Sequence, residues 1–205
     1  MTRQRVVLAT RNKGKIDELR RILADVPGLD IELLGVDEFP DVPEVEETGE
    51  TFVDNALLKA REVAAATGLP AVADDSGLCV DHLGGAPGVR SARWAGEPSD
   101  DDRNLALVIE QMDGVPAEHR GAHFACAAAL VVPGRGERTA EGKLEGRLIE
   151  TPRGNGGFGY DPIFVADGDT RTTAELAPQD KDAISHRGRA FRALAPMIAE
   201  LLAQE

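Results

Sequence analysis

Short apolar runs alternate with segments of helical periodicity along the first part of the chain, and this alternation restricts the possible folds most. Residues 6–9 are all apolar, as in a strand that is buried on both faces. Apolar residues then recur at helical spacing until Pro27-Gly28 ends the pattern. Further apolar runs at 31–34 and 71–73 flank a second helical pattern that begins near Thr51. Strands that alternate with helices in this way predict an α/β fold.

The middle of the chain carries a pattern that is typical of a hairpin. Residues 124–132 form an apolar strand, residues 133–136 a turn, and residues 137–149 the returning strand. Because the two strands of a hairpin are antiparallel, the sheet is expected to be mixed. No repeat or linker interrupts the sequence, and we expect a single domain over residues 1–205.

The overall charge narrows the range of partners. A net charge of −13 gives a surface that repels nucleic acid and anionic membranes, so neither is an expected partner. The sequence has no apolar stretch of about 18 residues, and no transmembrane helix is expected. Cys79 and Cys126 form no CxxC pair and lie in apolar runs, which indicates reduced, buried thiols in a cytoplasmic protein.

The turn between the first strand and the first helix is a candidate phosphate site. It reads Thr10-Arg11-Asn12-Lys13-Gly14-Lys15. A helix N-terminus presents N–H groups and a positive dipole, which suit phosphate, and the lysines add charge. The segment lacks the Walker A pattern. The alternative is a polar turn whose lysines are solvated.

Carboxylates gather in three places that could serve a metal ion. Glu46-Glu47 lie on an acidic loop, Asp54 on the second helix, and Asp74-Asp75 are predicted at the end of the strand 71–73. Mg²⁺ takes oxygen ligands and keeps several waters, so paired carboxylates suit it. Adjacent Asp74 and Asp75 need a cation or a partner, because otherwise they repel each other. For Glu46-Glu47 the simpler interpretation is an acidic surface loop.

A glycine-rich segment near the C-terminus carries two of the few aromatic residues. Phe158 and Tyr160 stand among the glycines of residues 154–162. Glycines allow close approach of a backbone to a ligand, and an aromatic face can stack on a nucleobase. The alternative is a tight turn whose aromatic side chains fold back onto the core.

The segment 181–188 supplies possible hydrogen-bond donors. Lys181, His186 and Arg187 could donate to phosphate or to a carbonyl group of a base. The alternative is a solvated helix start, which is the simpler interpretation of His186 alone.

Together these segments resemble one family, the inosine/xanthosine triphosphate pyrophosphatases (Ham1-like proteins). The resemblance covers nearly the whole chain in order. Its motifs are Leu8-Ala9-Thr10-x-Asn12-x-x-Lys15, Glu47-Thr48-Gly49-x-Thr51-Phe52, Ala73-Asp74-Asp75-Ser76-Gly77-Leu78, Gly84-Gly85-Ala86-Pro87-Gly88, Ser91-Ala92-Arg93, Gly156-Gly157-Phe158-Gly159-Tyr160-Asp161-Pro162 and Ser185-His186-Arg187-Gly188.

The resemblance implies a role for each motif. Thr10 to Lys15 would hold a triphosphate, Glu47 and Asp75 would bind Mg²⁺ with Asp74 close by, and Asp75 would act as general base. The remaining substrate contacts that it implies are Ser76, Phe158, Gly159, Tyr160, Asp161, Lys181, His186 and Arg187. It also implies a homodimer of ITPase-like fold, with an elongated mixed β-sheet flanked by helices and two lobes with a central cleft.

The implied reaction is hydrolysis of a purine nucleoside triphosphate such as ITP, dITP or XTP to the monophosphate and pyrophosphate. A pocket that donates to the 6-oxo group of such bases would reject adenine, which carries a 6-amino group. One alternative is a Maf-like pyrophosphatase for modified pyrimidine or dTTP-type nucleotides, against which the Phe158 to Asp161 and Ser185 to Arg187 segments argue. Another is a catalytically silent nucleotide-binding module, against which the set Glu47, Asp74 and Asp75 argues.

Overall fold

The strands of the chain form one mixed sheet in a computed structural model, which describes residues 3–203. The strands are β1 (Gln4–Leu8), β2 (Ile31–Gly35), β3 (Ala71–Val80), β4 (Gly121–Val132), β5 (Gly136–Leu148) and β6 (Phe164–Ala166). They lie in the order β2-β1-β3-β4-β5-β6. β1 pairs in parallel with β2 and β3, whereas β5 and β6 are antiparallel. The prediction of a mixed α/β sheet is confirmed.

Helices flank this sheet. They are α1 (Lys13–Ala24), α2 (Phe52–Thr67), α3 (Asp101–Gln111), α4 (Pro178–Ile184) and α5 (His186–Ala203). Helix α2 begins where the sequence predicts, because Thr51 accepts from the Asp54 amide and the Asp54 side chain accepts from Thr51. In the described part of the chain, no helix is long and apolar enough to cross a membrane.

The chain divides into two compact units. The first comprises the described residues up to Asp75, Cys126–Gly142 and the described residues from Arg187 onward. The second comprises Ser76–Ala125 and Lys143–His186. Strand β3 therefore contributes its first half to one unit and its second half to the other.

The first unit is packed on both faces of its strands, which explains why residues 6–9 are all apolar. Val6 and Leu8 belong to one buried cluster and Val7 to another, because successive side chains of a strand point to opposite faces. Helices α1 and α5 cover the first face, and the small residues of α2 cover the second.

The second unit has a core of its own. It is built from the second half of β3, the first part of β4, the last part of β5, and α3 and β6, with Leu78, Val108 and Phe164 among its buried residues. The ring centroids of Phe124 and Phe164 lie 4.6 Å apart. Tyr160 of the glycine-rich segment is buried in this core, which anchors the segment to the second unit.

The predicted end of the third strand is wrong. The sequence suggests a strand that stops at Ala73 and is followed by Asp74 and Asp75, but β3 continues to Val80. Both carboxylates therefore lie within the strand, with only 1% and 4% of their surface exposed. Buried charges are tolerated when they are paired, and because both carboxylates have partners inside the protein, the strand can continue past them.

Candidate active site

The turn before α1 is shaped by its own side chains. Asn12 is the N-cap, and its side-chain oxygen accepts from the Lys15 amide at 3.0 Å. The Thr10 hydroxyl accepts from the Asn12 amide at 3.2 Å. Lys13 and Gly14 form the first helical positions, where backbone N–H groups have no partner within the helix. The segment therefore has the backbone arrangement that binds an anion.

Arg11 takes a position that the sequence does not predict. Its Nη2 donates to the Val42 carbonyl oxygen at 2.7 Å. The guanidinium thus ties the acidic loop, which follows β2, to the turn before α1. The Lys15 side chain also reaches out of this segment, to Asp74 on β3.

A buried ion cluster lies beside this turn, centred on Asp74. Its Oδ2 lies 3.0 Å from Lys15 Nζ and 3.2 Å from Arg187 Nε. Arg187 Nη1 in turn lies 2.7 Å from Glu18 Oε2. All of these groups belong to the first unit, and Glu18, Asp74 and Arg187 are each at most 4% exposed.

This cluster keeps Asp74 ionised. Burial alone would raise the pKa of its carboxyl, but the charges of Lys15, Arg187 and Lys59 outweigh that effect and hold the pKa well below its usual range. Burial likewise opposes the charge of Arg187, yet Glu18 and Asp74 raise its pKa. Asp74 is therefore a fixed negative charge and a poor acceptor of protons.

Asp75 has different partners. Its Oδ2 accepts from Asn55 Nδ2 at 2.9 Å, and its Oδ1 lies 3.9 Å from Lys59 Nζ. Lys59 also forms a short ion pair with Glu47 on the acidic loop. Helix α2 thus presents an amide and an ammonium group to two carboxylates.

The pKa of Asp75 moves in the opposite direction to that of Asp74. Burial raises it, and the charge of Glu47 adds to this effect, while Lys59, Lys15 and the hydrogen bond from Asn55 act against it. Burial lowers the pKa of Lys59, but Asp75 and Glu47 outweigh burial and raise it. A carboxylate whose pKa is raised is a better proton acceptor than its neighbour.

The oxygens of Glu47 and Asp75 fit a hard divalent cation. Both carboxylates face the one ammonium group of Lys59, and their mutual repulsion contributes to the raised pKa of Asp75. A cation near them would relieve this repulsion. Among residues 3–203, no three His, Cys, Asp or Glu side chains cluster in a way that would hold a metal ion. Two carboxylates, with water and phosphate as further ligands, are what Mg²⁺ ordinarily takes.

In the second unit, the two aromatic side chains of the glycine-rich segment have different environments. Tyr160 is 5% exposed and its hydroxyl donates to the Ser91 carbonyl at 2.7 Å, so it folds back onto the core. Phe158 is half-buried, and Lys181 Nζ lies 4.7 Å from its ring centroid. Phe158 is therefore the aromatic face of this segment that a base could reach.

Asp161 organises this segment. Its Oδ2 accepts from the Phe158 amide at 2.9 Å and lies 2.5 Å from Lys181 Nζ. Its Oδ1 accepts from the Thr173 hydroxyl at 2.7 Å. Gly157 has a φ of +69° and lies against this carboxylate, which leaves no room for a side chain. Asp161 therefore positions Phe158 and Lys181.

The remaining substrate contacts that were predicted in the second unit lie on different elements and have different partners. Ser76 follows Asp75 on β3 and is half-buried. The Gly159 amide donates to Asp101 Oδ2 at 3.1 Å. His186 is buried, and its ring stacks on Phe124 at a centroid distance of 4.8 Å. His186 is thus part of the core rather than solvated.

Three residues of the ion clusters escape prediction from the sequence: Glu18, Asn55 and Lys59. Helical spacing is the signal that could have indicated them. Glu18 lies one turn after Lys15 on α1, and Asn55 and Lys59 are four residues apart on α2, so each pair shares a face.

Comparison with known proteins identifies the family of the chain. A dITP/XTP pyrophosphatase of Streptomyces coelicolor is 62% identical over 198 residues, which are 97% of this chain and 98% of that protein. One of Mycobacterium tuberculosis is 52% identical over 198 residues, 96% of each chain. A HAM1 protein of Coxiella burnetii has a solved structure with a TM-score of 0.84 and 43% identity, covering 96% of this chain and 99% of the other. The family model described as the Ham1 family matches residues 6–197, and the chain belongs to that family.

Proposed function

We propose that the chain hydrolyses non-standard purine nucleoside triphosphates, dITP, ITP and XTP, to the nucleoside monophosphate and pyrophosphate. The observation that carries this proposal is the pair Asp74 and Asp75, two buried neighbours on β3 close to the N-terminus of α1. The pKa of Asp74 is lowered and that of Asp75 is raised. Adjacent carboxylates with opposite shifts are typical of acid–base catalysis. Family membership and relatives described as dITP/XTP pyrophosphatases support the same reaction.

The residues of the first unit divide the work between binding and proton transfer. The start of α1 and the ammonium group of Lys15 bind phosphate oxygens, and Asp74 holds that ammonium group in place at 3.0 Å. Asp75 accepts the proton of the attacking water, since Asp74 is held in its ionised form by Lys15 and Arg187 and is the poorer proton acceptor of the two. Lys59, held by Glu47, stays protonated and offsets the negative charge that develops on phosphate.

We propose that Mg²⁺ is required and is held by Glu47 and Asp75. When bound, it would neutralise charge on the phosphate oxygens. The proposal is supported by two carboxylates that share a single ammonium group, which is an electrostatic setting that favours a further cation.

The second unit offers a base-recognition group. The half-exposed ring of Phe158 gives a surface for stacking, and Lys181 lies over that ring. An ammonium group has three N–H donors, and Asp161 takes one of them. A remaining donor can bond to a 6-oxo group. The 6-amino group of adenine is itself a donor, so it would face the lysine N–H group without forming a hydrogen bond.

We also propose that the protein forms a homodimer and is located in the cytoplasm. The dimer is what the resemblance to Ham1-like proteins implies, and the buried free thiols of Cys79 and Cys126 are consistent with a reducing compartment.

A product assay tests the proposed function. The purified protein is mixed in turn with dITP, XTP, ATP and GTP, with Mg²⁺ or with a chelator, and pyrophosphate and orthophosphate are measured separately. We expect pyrophosphate from dITP and XTP only, and only with Mg²⁺. Orthophosphate as the first product, or equal turnover of ATP and dITP, would contradict the proposal. Full activity in the chelator would refute the metal requirement alone.

A further inference from the structure

Asn55 uses both ends of its side-chain amide inside the protein. It lies on α2 and is fully buried, with no exposed surface. Its Nδ2 donates to Asp75 Oδ2 at 2.9 Å, and its Oδ1 accepts from the Gly49 amide at 2.7 Å. Buried amides are retained when both ends have partners, and these two partners lie on different segments. Asn55 therefore connects β3 with the acidic loop.

The contact with the loop is close. A Cβ atom at Gly49 would lie 2.6 Å from the Asp54 Cβ and 2.7 Å from Asn55 Oδ1, so a larger residue would push the loop away from α2. Gly49 stands two residues after Glu47, which pairs with Lys59. The hydrogen bond from Gly49 to Asn55 thus fixes the loop that carries Glu47.

The start of α2 does not depend on the Asn55 side chain. Thr51 and Asp54 cap the helix reciprocally, and the backbone amide of Asn55 donates to the Thr51 carbonyl at 3.2 Å. The side chain of Asn55 makes no contribution to this cap. Its role lies in the two contacts that it makes outside the helix.

Those contacts fix the direction of the Asp75 carboxylate. The donor of Asn55 engages Oδ2, while Oδ1 lies on the side of Lys59 at 3.9 Å. Asn55 and Lys59 stand four residues apart on one helix face, so they approach the carboxylate from the same element. A free carboxylate could rotate about its χ2 torsion, and the amide prevents this.

We propose that Asn55 is a positioning residue, which orients the Asp75 carboxylate and holds the Glu47 loop at a fixed distance from it. The catalytic part of this inference rests on the proposed function, in which Asp75 accepts a proton from water. The structural part, the link between β3 and the loop, stands independently of it.

The test compares two variants with a matched control. Asn55→Ala removes both contacts, whereas Asn55→Asp keeps the acceptor for Gly49 and turns an oxygen toward Asp75. We expect kcat for dITP to fall about 10- to 100-fold in both, as for other residues that orient a catalytic ligand, with KM within about threefold. The control Thr51→Ala weakens the cap of the same helix, should lower Tm by about 2–4 °C, and should keep the kcat of the wild type.

A second readout is independent of activity. Hydrogen exchange of the Gly49 amide, measured by NMR, should speed up in Asn55→Ala and stay slow in Asn55→Asp. The ¹³C shift of the Asp75 carboxyl at fixed pH should change in both variants and stay constant in Thr51→Ala.

The outcomes separate the two claims. Wild-type kcat in both Asn55 variants, in an enzyme that releases pyrophosphate, would overturn the positioning role and leave the proposed function intact. A loss of kcat in Thr51→Ala equal to that in Asn55→Ala would reduce Asn55 to a stabilising residue. If the wild-type protein hydrolyses none of the nucleotides, the proposed function fails. The structural link between β3 and the loop would fail as well only if the Asn55 variants changed neither the ¹³C shift of the Asp75 carboxyl nor the hydrogen exchange of the Gly49 amide.

Discussion

Asp74 and Asp75 are neighbours on one strand, and their surroundings give them different tasks. Lys15 and Arg187 hold Asp74 in its ionised form, whereas burial and Glu47 raise the pKa of Asp75. Their side chains point to opposite faces of β3, as for any consecutive pair in a strand, so their nearest partners differ: Arg187 and Lys15 for Asp74, and Asn55 for Asp75. At the scale of single residues, the two carboxylates should therefore respond differently to the same substitution.

Asp74→Asn is expected to destabilise the protein. The variant leaves Lys15 and the buried guanidinium of Arg187 with less compensating charge, which costs about 3 kcal/mol in the free energy of unfolding. Urea denaturation at pH 7 measures this loss. The exposed Asp17 on α1 provides the control, since Asp17→Asn should change the free energy by less than about 0.5 kcal/mol.

The effect of Asp74 on stability should depend on pH. Its folded-state pKa is depressed, so its contribution is present above the unfolded pKa of about 3.9 and is lost as the pH falls below that value. The difference in unfolding free energy between the wild type and Asp74→Asn should therefore shrink below about pH 4. A difference that is the same at pH 7 and at pH 3 would contradict the ion-pair assignment.

Asp75→Asn is expected to leave stability unchanged or to increase it. The folded-state pKa of Asp75 is raised, so its favourable contribution is present below the unfolded pKa and is lost as the pH rises through the folded value. At pH 7 the burial of this carboxyl group is therefore a net cost, which the neutral amide removes. Thermal unfolding at pH 7 measures the change, and a Tm lower than that of the wild type by more than about 4 °C would argue against the raised pKa.

At the scale of elements, the start of α2 was predictable and the end of β3 was not. The Thr51 cap of α2 could be predicted because capping depends on residues three positions apart. The continuation of β3 past Asp74 depends on Lys15, Arg187 and Lys59, which come from distant parts of the chain. Helix α4, only seven residues long, has too little periodicity to predict.

The start of α1 combines a structural cap with a binding surface, and Asn12→Asp separates the two. Aspartate caps a helix as well as asparagine, so the unfolding free energy should stay within about 0.5 kcal/mol of the wild type. The added negative charge faces the position proposed for phosphate, and KM for dITP should rise about tenfold. Steady-state kinetics at low salt measure this, and an unchanged KM would place the triphosphate elsewhere.

At the scale of the whole molecule, the sequence predicted the fold class and a set of candidate site segments, but not all the partners of the residues in those segments. The motifs around Asn12, Asp75 and Asp161 are local, and each is recognisable as a short segment of the sequence. The roles of Asn55 and Lys59 follow only from packing α2 against β3. Tyr160 illustrates the opposite case, because an aromatic residue in a glycine-rich segment can serve the core as well as a ligand.

The central claim is that the Asp75 carboxylate activates the water that cleaves the triphosphate. The most direct measurement is the rate of pyrophosphate release from dITP under saturating nucleotide and Mg²⁺, for the wild type and for Asp75→Asn. We expect kcat to fall at least about 100-fold in the variant, which is the usual contribution of a general base, while the protein stays folded. A folded Asp75→Asn protein with near wild-type kcat would contradict the claim and assign proton transfer to another group.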